Sequence, residues 1–92
     1  MEVNRKDNCF YLGPNFDERI GEIVFHFEGD DIVVTHTFVD PSYRGLGLAG
    51  KLVDAVVSLA RNARRMIIPV CPYVKKVLEN GDFEDVLKKS EL

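Results

Sequence analysis

The run Val39-Asp40-Pro41-Ser42-Tyr43-Arg44-Gly45-Leu46-Gly47-Leu48-Ala49-Gly50-Lys51-Leu52 decides how the rest of the chain is read. Asp40-Pro41-Ser42-Tyr43 ends the β-branched segment before it, because proline cannot donate to a strand ladder and Asp and Ser favour turns. The glycines that follow cannot continue a sheet. From there Ala49, Leu52, Val53, Val56, Ala60 and Ala63 recur at helical spacing, with Lys51, Asp54, Ser58 and Arg61 on the other side. The order is strand, glycine-rich turn, amphipathic helix.

Upstream, Ile32 to Val39 is rich in β-branched residues, and Ile23, Phe25 and Phe27 alternate with Glu22, His26 and Glu28 over Ile20 to Glu28. Glu28-Gly29-Asp30-Asp31 joins these two segments as a hairpin turn. Cys9-Phe10-Tyr11-Leu12 reads as a short edge strand stopped by Gly13-Pro14-Asn15, after a polar start from Met1 to Asn8. Downstream, Arg65 to Val70 carries Met66, Ile67 and Ile68 consecutively, the pattern of a strand buried on both faces and reached in parallel through a crossover helix. Tyr73 to Glu79 suits a short helix, Asn80-Gly81 its stop, and Asp82 to Lys89 a last helix capped by Asp82. The expected fold class is α+β (mixed α/β): an antiparallel meander, a crossover helix and a parallel strand, with short C-terminal helices.

At 92 residues the chain is expected to form a single domain over 1–92 with one modest core. Twelve basic against fifteen acidic side chains give a net charge of -3, so no global positive field draws nucleic acid or an anionic membrane. The longest uncharged stretch, Met66 to Val74, is broken by prolines and is far too short to span a bilayer. Cys9 and Cys71 lie far apart with no histidine at metal-ligand spacing, so neither a metal site nor a disulfide framework is expected, and the default is a pair of reduced thiols in a cytoplasmic protein.

Strand, glycine turn and helix together make a phosphate cradle, because the first N–H groups of a helix have no partner within it and its dipole favours negative charge there. Three patterns overlap in the turn. Gly45-Leu46-Gly47-Leu48-Ala49-Gly50 is a literal G-x-G-x-x-G, but a dinucleotide site needs an acidic residue about twenty positions on, and that region reads Val70-Cys71-Pro72. Gly45 to Lys51 satisfies G-x-x-x-x-G-K, but Leu52 stands where a magnesium-binding Ser or Thr is required. The third pattern is Arg44-x-x-Gly47-x-Ala49 after Val39-Asp40-Pro41.

That third pattern resembles the coenzyme A pyrophosphate loop of the GNAT N-acetyltransferase superfamily. His36-Thr37-x-Val39, the glycine loop, Ile68-Pro69-Val70-Cys71-Pro72-Tyr73-Val74 and the tail Asp82-Phe83-Glu84-Asp85-Val86-Leu87 are similar, in that order, to minimal members of about this length. The likeness covers most of the chain after Gly21. Phe38 departs from it, since relatives often carry an acidic residue there.

The resemblance implies that backbone N–H groups of Gly45, Leu46, Gly47, Leu48 and Ala49 hold the pyrophosphate of coenzyme A or acetyl-coenzyme A, with Arg44 and Lys51 as supplementary charge. It further implies that the pantetheine arm lies along the strand ending at Val39, where that strand splays from the parallel one, and that a backbone N–H near Val39 polarises the thioester carbonyl. From alternation His36 shares a strand face with Ile32, Val34 and Phe38, and it is the candidate base, against the plainer reading of a packed core histidine. Cys71 is the candidate nucleophile, the proton donor to the departing thiolate, or simply site lining, and Tyr73 is a further candidate acid. Arg61-Asn62-Ala63-Arg64-Arg65 is a basic cluster available to the adenosine phosphate or a partner, or is plain solvated surface. The implied function is acyl-CoA-dependent N-acyl transfer to an amine on a small molecule or protein. The alternatives are a non-catalytic acyl-CoA-binding or protein-interaction module, and nucleotide binding through Gly45 to Lys51.

Overall fold

The computed structural model describes residues 1–89. Strands β1 (Val3–Lys6), β2 (Cys9–Leu12), β3 (Gly21–Glu28) and β4 (Asp31–Val39) run as an antiparallel meander, and β5 (Met66–Pro69) adds in parallel to β4, so that spatial order follows chain order. Helix α1 (Leu48–Ala63) makes the crossover from β4 to β5, and α2 (Pro72–Glu79) follows β5. The β1–β2 hairpin turns on Asp7-Asn8 with Asp7 left-handed at φ 52°, the β3–β4 hairpin on Gly29 at φ 59°. Strand β1 gives Cys9–Leu12 an outer partner, so β2 is internal and not the expected edge.

The apolar stripe of α1, Leu48, Leu52, Val53, Val56, Val57 and Ala60, packs on one face of the sheet against Leu12, Ile23, Phe25, Ile32, Val34, Val39 and Ile67. Each large side chain fully buried there is worth roughly 1.5–3 kcal/mol. Leu52 has no exposed surface, so Leu52→Ala would cost roughly 2–5 kcal/mol. Val74 and Leu78 of α2 and Val86 complete the same core.

Two expectations about the second half are corrected. Strand β5 is buried throughout only at Ile67, its other residues being half-buried. Asp82 to Lys89 does not form a helix. Phe83, Val86 and Leu87 have helical spacing, but only one turn closes, through the Val86 and Leu87 N–H groups to the Phe83 carbonyl. The chain then straightens, and Leu87 forms a parallel bridge with Ile67 in which the Ile67 N–H meets the Val86 carbonyl and the Lys88 N–H meets the Ile67 carbonyl at 2.9 Å. An uncovered strand edge is costly in unpaired backbone groups, and meeting that demand outweighs the local periodicity.

Strand β4 carries the irregularity that matters for the site. Val24 lies opposite His36 and Phe25 opposite Val34, leaving Thr35 as an extra residue. Such a bulge reverses the alternation beyond it. Ile32 and Val34 therefore face the core, while His36 and Phe38 emerge on the other face of the sheet. Among the described residues no helix is long and apolar enough to cross a membrane.

Candidate functional site

The glycine turn starts from a fixed kink. The Asp40 carboxylate accepts from the Ser42 N–H at 2.9 Å and its carbonyl from the Tyr43 N–H at 2.8 Å, winding Pro41–Tyr43 into a single 3-10 turn. Arg44 leaves that turn extended and donates from Nε to the Val39 carbonyl at 3.2 Å. Gly45 and Gly47 take φ 84° and 74°, a region that costs an L side chain roughly 1–2 kcal/mol. Gly47 is the N-cap of α1 and offers it no side chain, and the helical ladder opens with the Lys51 N–H to the Gly47 carbonyl at 3.3 Å. The N–H groups of Leu48, Ala49 and Gly50 come before it, and no group among the described residues accepts from them.

Those N–H groups border a shallow depression of about 220 Å³ lined by Val39, Tyr43, Arg44, Tyr73 and the start of α1. No acidic side chain lies in the first turn of α1, where one would ordinarily complement the dipole, and Lys51 follows instead. Donors without acceptors, a positive helix end and left-handed glycines form a donor set that fits a diphosphate.

Next to the depression the sheet opens. Strands β4 and β5 pair from Asp31↔Met66 to Val34↔Pro69, where the Val34 carbonyl receives both the Val70 and the Cys71 N–H at 3.0 Å. The chain then leaves for α2, while β4 continues to Val39 paired with β3 alone. Cys71 sits at the apex of this gap, only 7% exposed, its thiol donating to Thr37 Oγ1 at 3.5 Å. Burial by itself pushes the thiol up, but the Val74 N–H, the Thr37 hydroxyl and the Tyr73 and Thr37 backbone together outweigh it and hold Cys71 below the ordinary thiol value. Cys71 is also the N-cap of α2; its sulfur makes no full capping bond there, yet the donors on that side still favour thiolate.

His36 is not among apolar neighbours as unbroken alternation would have it. The bulge at Thr35 turns it to the face away from Ile32 and Val34, with 54% of its side chain exposed and Nε2 at 3.3 Å from Glu22 Oε2. Glu22 is held in turn by Arg19, Nε to Oε1 at 2.7 Å. No contact joins His36 to Cys71, whose partner Thr37 points to the opposite face of the same strand.

Arg44, Gly45, Gly47, Leu48 and Ala49 thus meet at one depression with Val39, Lys51 stands two residues beyond Ala49 on α1 with no ion pair among the described residues, and Leu46 projects outward, 65% exposed. The Arg61 to Arg65 cluster lies at the other end of α1 and cannot reach that depression. Arg61 clasps Asp85 through Nε at 2.8 Å, and Arg65 donates to the Gly29 carbonyl at 3.1 Å while covering the Phe27 ring. Thr37 and Glu22 join the site only through the fold. Thr37 stands inside the His36-Thr37 block, and Glu22 is signalled only by its register opposite Phe38, which no one-dimensional pattern carries.

Residues 9–86 match the family model described as GCN5-related N-acetyl-transferase. No curated protein matches. Among solved structures, a GCN5-like protein from Staphylococcus aureus is 34% identical, superposes with a TM-score of 0.82, and is matched over 98% of this chain and 90% of its own. A ribosomal-protein-alanine N-acetyltransferase from Brucella melitensis is 18% identical with a TM-score of 0.61, over 92% of this chain and 67% of its own. A predicted acetyltransferase with acetyl-CoA from Clostridium acetobutylicum is 20% identical with a TM-score of 0.58, over 89% and 62%. The last two share the fold and are longer. With its order of strands, its glycine turn and a family match over most of its length, the chain belongs to the GCN5-related N-acetyltransferases.

Proposed function

We propose that this protein transfers an acyl group, acetyl from acetyl-coenzyme A, to a primary amine. The observation that carries the reading is the trio of N–H groups at the start of α1 that no group among the described residues accepts from, beside a strand whose parallel partner has parted from it. In this reading the N–H groups of Gly45 to Ala49 bind the pyrophosphate, Arg44 and Lys51 add charge, and β4 toward Val39 receives the pantetheine arm. Bound there, the thioester supplies an activated acyl carbon.

The amine nitrogen forms the new C–N bond as the C–S bond breaks and its electron pair leaves on sulfur. His36, oriented by Glu22, accepts the amine proton directly or through a water. Cys71 gives its proton to the departing sulfur, since a thiol held below the ordinary value is a stronger acid than the thiol being released. Solvent returns one proton from His36 to Cys71.

The test is a mass-spectrometric screen for acetyl transfer to pooled amines and peptides. Transfer that drops with His36→Ala is expected; tight coenzyme A binding without any transfer would mark a binding module instead. Intact mass of the protein with acetyl-coenzyme A alone is expected to show no adduct on Cys71. An adduct, together with loss of turnover in Cys71→Ala, would replace direct attack by the covalent route.

A further inference from the structure

We infer that β1 is a self-pairing edge: two copies of this chain join antiparallel along it about a dyad at Asn4, making one sheet through both molecules. The inference concerns assembly and stands independently of acyl transfer.

The sheet has two edges, and they are finished differently. At β5, Pro69 has no N–H to offer and Leu87 bridges Ile67 from outside. Strand β1 is paired with β2 on one side only. Which of its backbone groups face outward follows from its neighbour. The Asn8 and Leu12 carbonyls accept from the Phe25 and Ile20 N–H groups on the β3 side, so Cys9 and Tyr11 turn theirs toward β1. Lys6 and Asn4, in register with Cys9 and Tyr11, are thereby satisfied. Val3 and Arg5 point outward, and no backbone group among the described residues meets them.

Such a row of donors and acceptors is a template for another strand, which basic side chains commonly block by standing across it. Arg5 does not block this one. It folds back, donating from Nε to the Asp7 carbonyl at 2.9 Å, with its guanidinium 5.8 and 5.6 Å from the Phe10 and Phe25 ring centroids.

Charge selects the partner and the register. The outward bonds of Val3 and Arg5 admit dyads at Val3, Asn4 or Arg5. A dyad at Arg5 sets that residue against its own copy, like charges directly opposite. One at Val3 sets Glu2 against Asn4 and Arg5 against Met1, matching no charge. A dyad at Asn4 lets Val3 and Arg5 of the second copy exchange N–H and carbonyl bonds, and it sets exposed Glu2 opposite exposed Lys6, repeated by symmetry. The two Asn4 amides then meet on the axis, each with a donor and an acceptor. The segment Glu2 to Lys6 is thus complementary to itself when reversed. The gap between β4 and β5 lies beyond β2 and β3, so each copy keeps its own.

The experiment is sedimentation velocity of the untagged full chain from about 10 µM to about 1 mM, the span over which so small an interface dissociates. A monomer–dimer equilibrium is expected. Glu2→Lys alone and Lys6→Glu alone should each weaken it roughly tenfold or more, since the dyad counts every like-charge contact twice, and the double exchange should restore it. Arg5→Pro removes an outward N–H without touching the bonds to β2 and should also abolish the dimer. Should that variant fail to fold, the charge exchange decides alone. The coenzyme A-induced thermal shift should be the same in every folded variant. A monomer at all concentrations, or a dimer indifferent to the single charge reversals, overturns the self-pairing edge and leaves acyl transfer standing.

Discussion

Gly45, Gly47 and Gly50 are required for different reasons, and the difference gives a test. The first two have positive φ and need glycine for the backbone alone. Gly50 sits within the first turn of α1, where a methyl group would meet nothing within 4 Å. Helix propensity then favours alanine, and Gly50→Ala should stabilise the protein by about 0.5–1 kcal/mol. The same methyl projects into the depression proposed for the pyrophosphate, so coenzyme A affinity should fall while the melting temperature rises. Calorimetric titration beside thermal unfolding reads both; equal affinity in the variant would move the pyrophosphate away from Gly50. The two thiols give a second test at this scale. Cys9 is pushed up by burial and then by Glu22, whereas Cys71 is held down by its hydrogen-bond donors. Folding therefore favours thiolate at Cys71, a contribution present above the unfolded thiol's pKa and lost as pH falls through the folded one. At Cys9 folding favours thiol, and that contribution is present below the unfolded value and lost as pH rises through the folded one. In single-cysteine variants followed by ultraviolet thiolate absorbance, Cys71 should titrate below, and Cys9 above, a cysteine in the denatured chain.

At the scale of elements, α1 ends on a residue that strains it. Arg64 is left-handed at φ 55° and ψ 47°, its N–H returning to the Ala60 and Arg61 carbonyls, a position glycine takes without penalty. Arg64→Gly should raise stability by about 1 kcal/mol. For a domain of this size that is roughly 4–8 °C in melting temperature. Coenzyme A affinity should not change, because a helix of 16 residues puts about 24 Å between its ends. Helix α1 was also the element most legible in the sequence, since its stripe repeats over more than four turns and no competing demand acts on it. The β3–β4 hairpin was legible from Gly29 and alternation. Strand β1 was not, because only Val3 among its four residues is large and apolar, and its pairing is a property of β2's open edge. Residues 82–89 misled for the matching reason: their local period is helical, but the edge of β5 takes them. The bulge at Thr35 was silent as well, and it moved His36 from the core face to the solvent face. The glycine turn announced itself because its constraint is backbone conformation, which residue type encodes directly; the Glu22–His36 pair depends on register between strands, which residue type does not.

At the scale of the whole molecule, the amides at the start of α1, which no group among the described residues accepts from, belong to the helix whose buried face holds the sheet together, so a ligand bound there reports on global unfolding and not on a loose loop. A small domain with one continuous core unfolds in a single cooperative step. A ligand that binds only the folded state at a hundred times its dissociation constant then adds about 2.7 kcal/mol. That corresponds to a rise of roughly 10–20 °C for a chain of this length. Coenzyme A and acetyl-coenzyme A should both produce such a rise, with desulfo-coenzyme A close behind, since the pyrophosphate contacts do not involve sulfur. ATP with magnesium should not produce it, because Leu52 stands where the G-x-x-x-x-G-K pattern needs a magnesium-binding hydroxyl. The charge contribution is separable by salt, as Arg44 and Lys51 are exposed and their attraction to a diphosphate is screened, while the amide donors persist. Thermal unfolding with each ligand at low and high ionic strength therefore decides between the two phosphate chemistries that the turn's letters allow: a shift with coenzyme A that is only partly lost in salt is expected, and a shift confined to ATP with magnesium would give the turn to nucleotide.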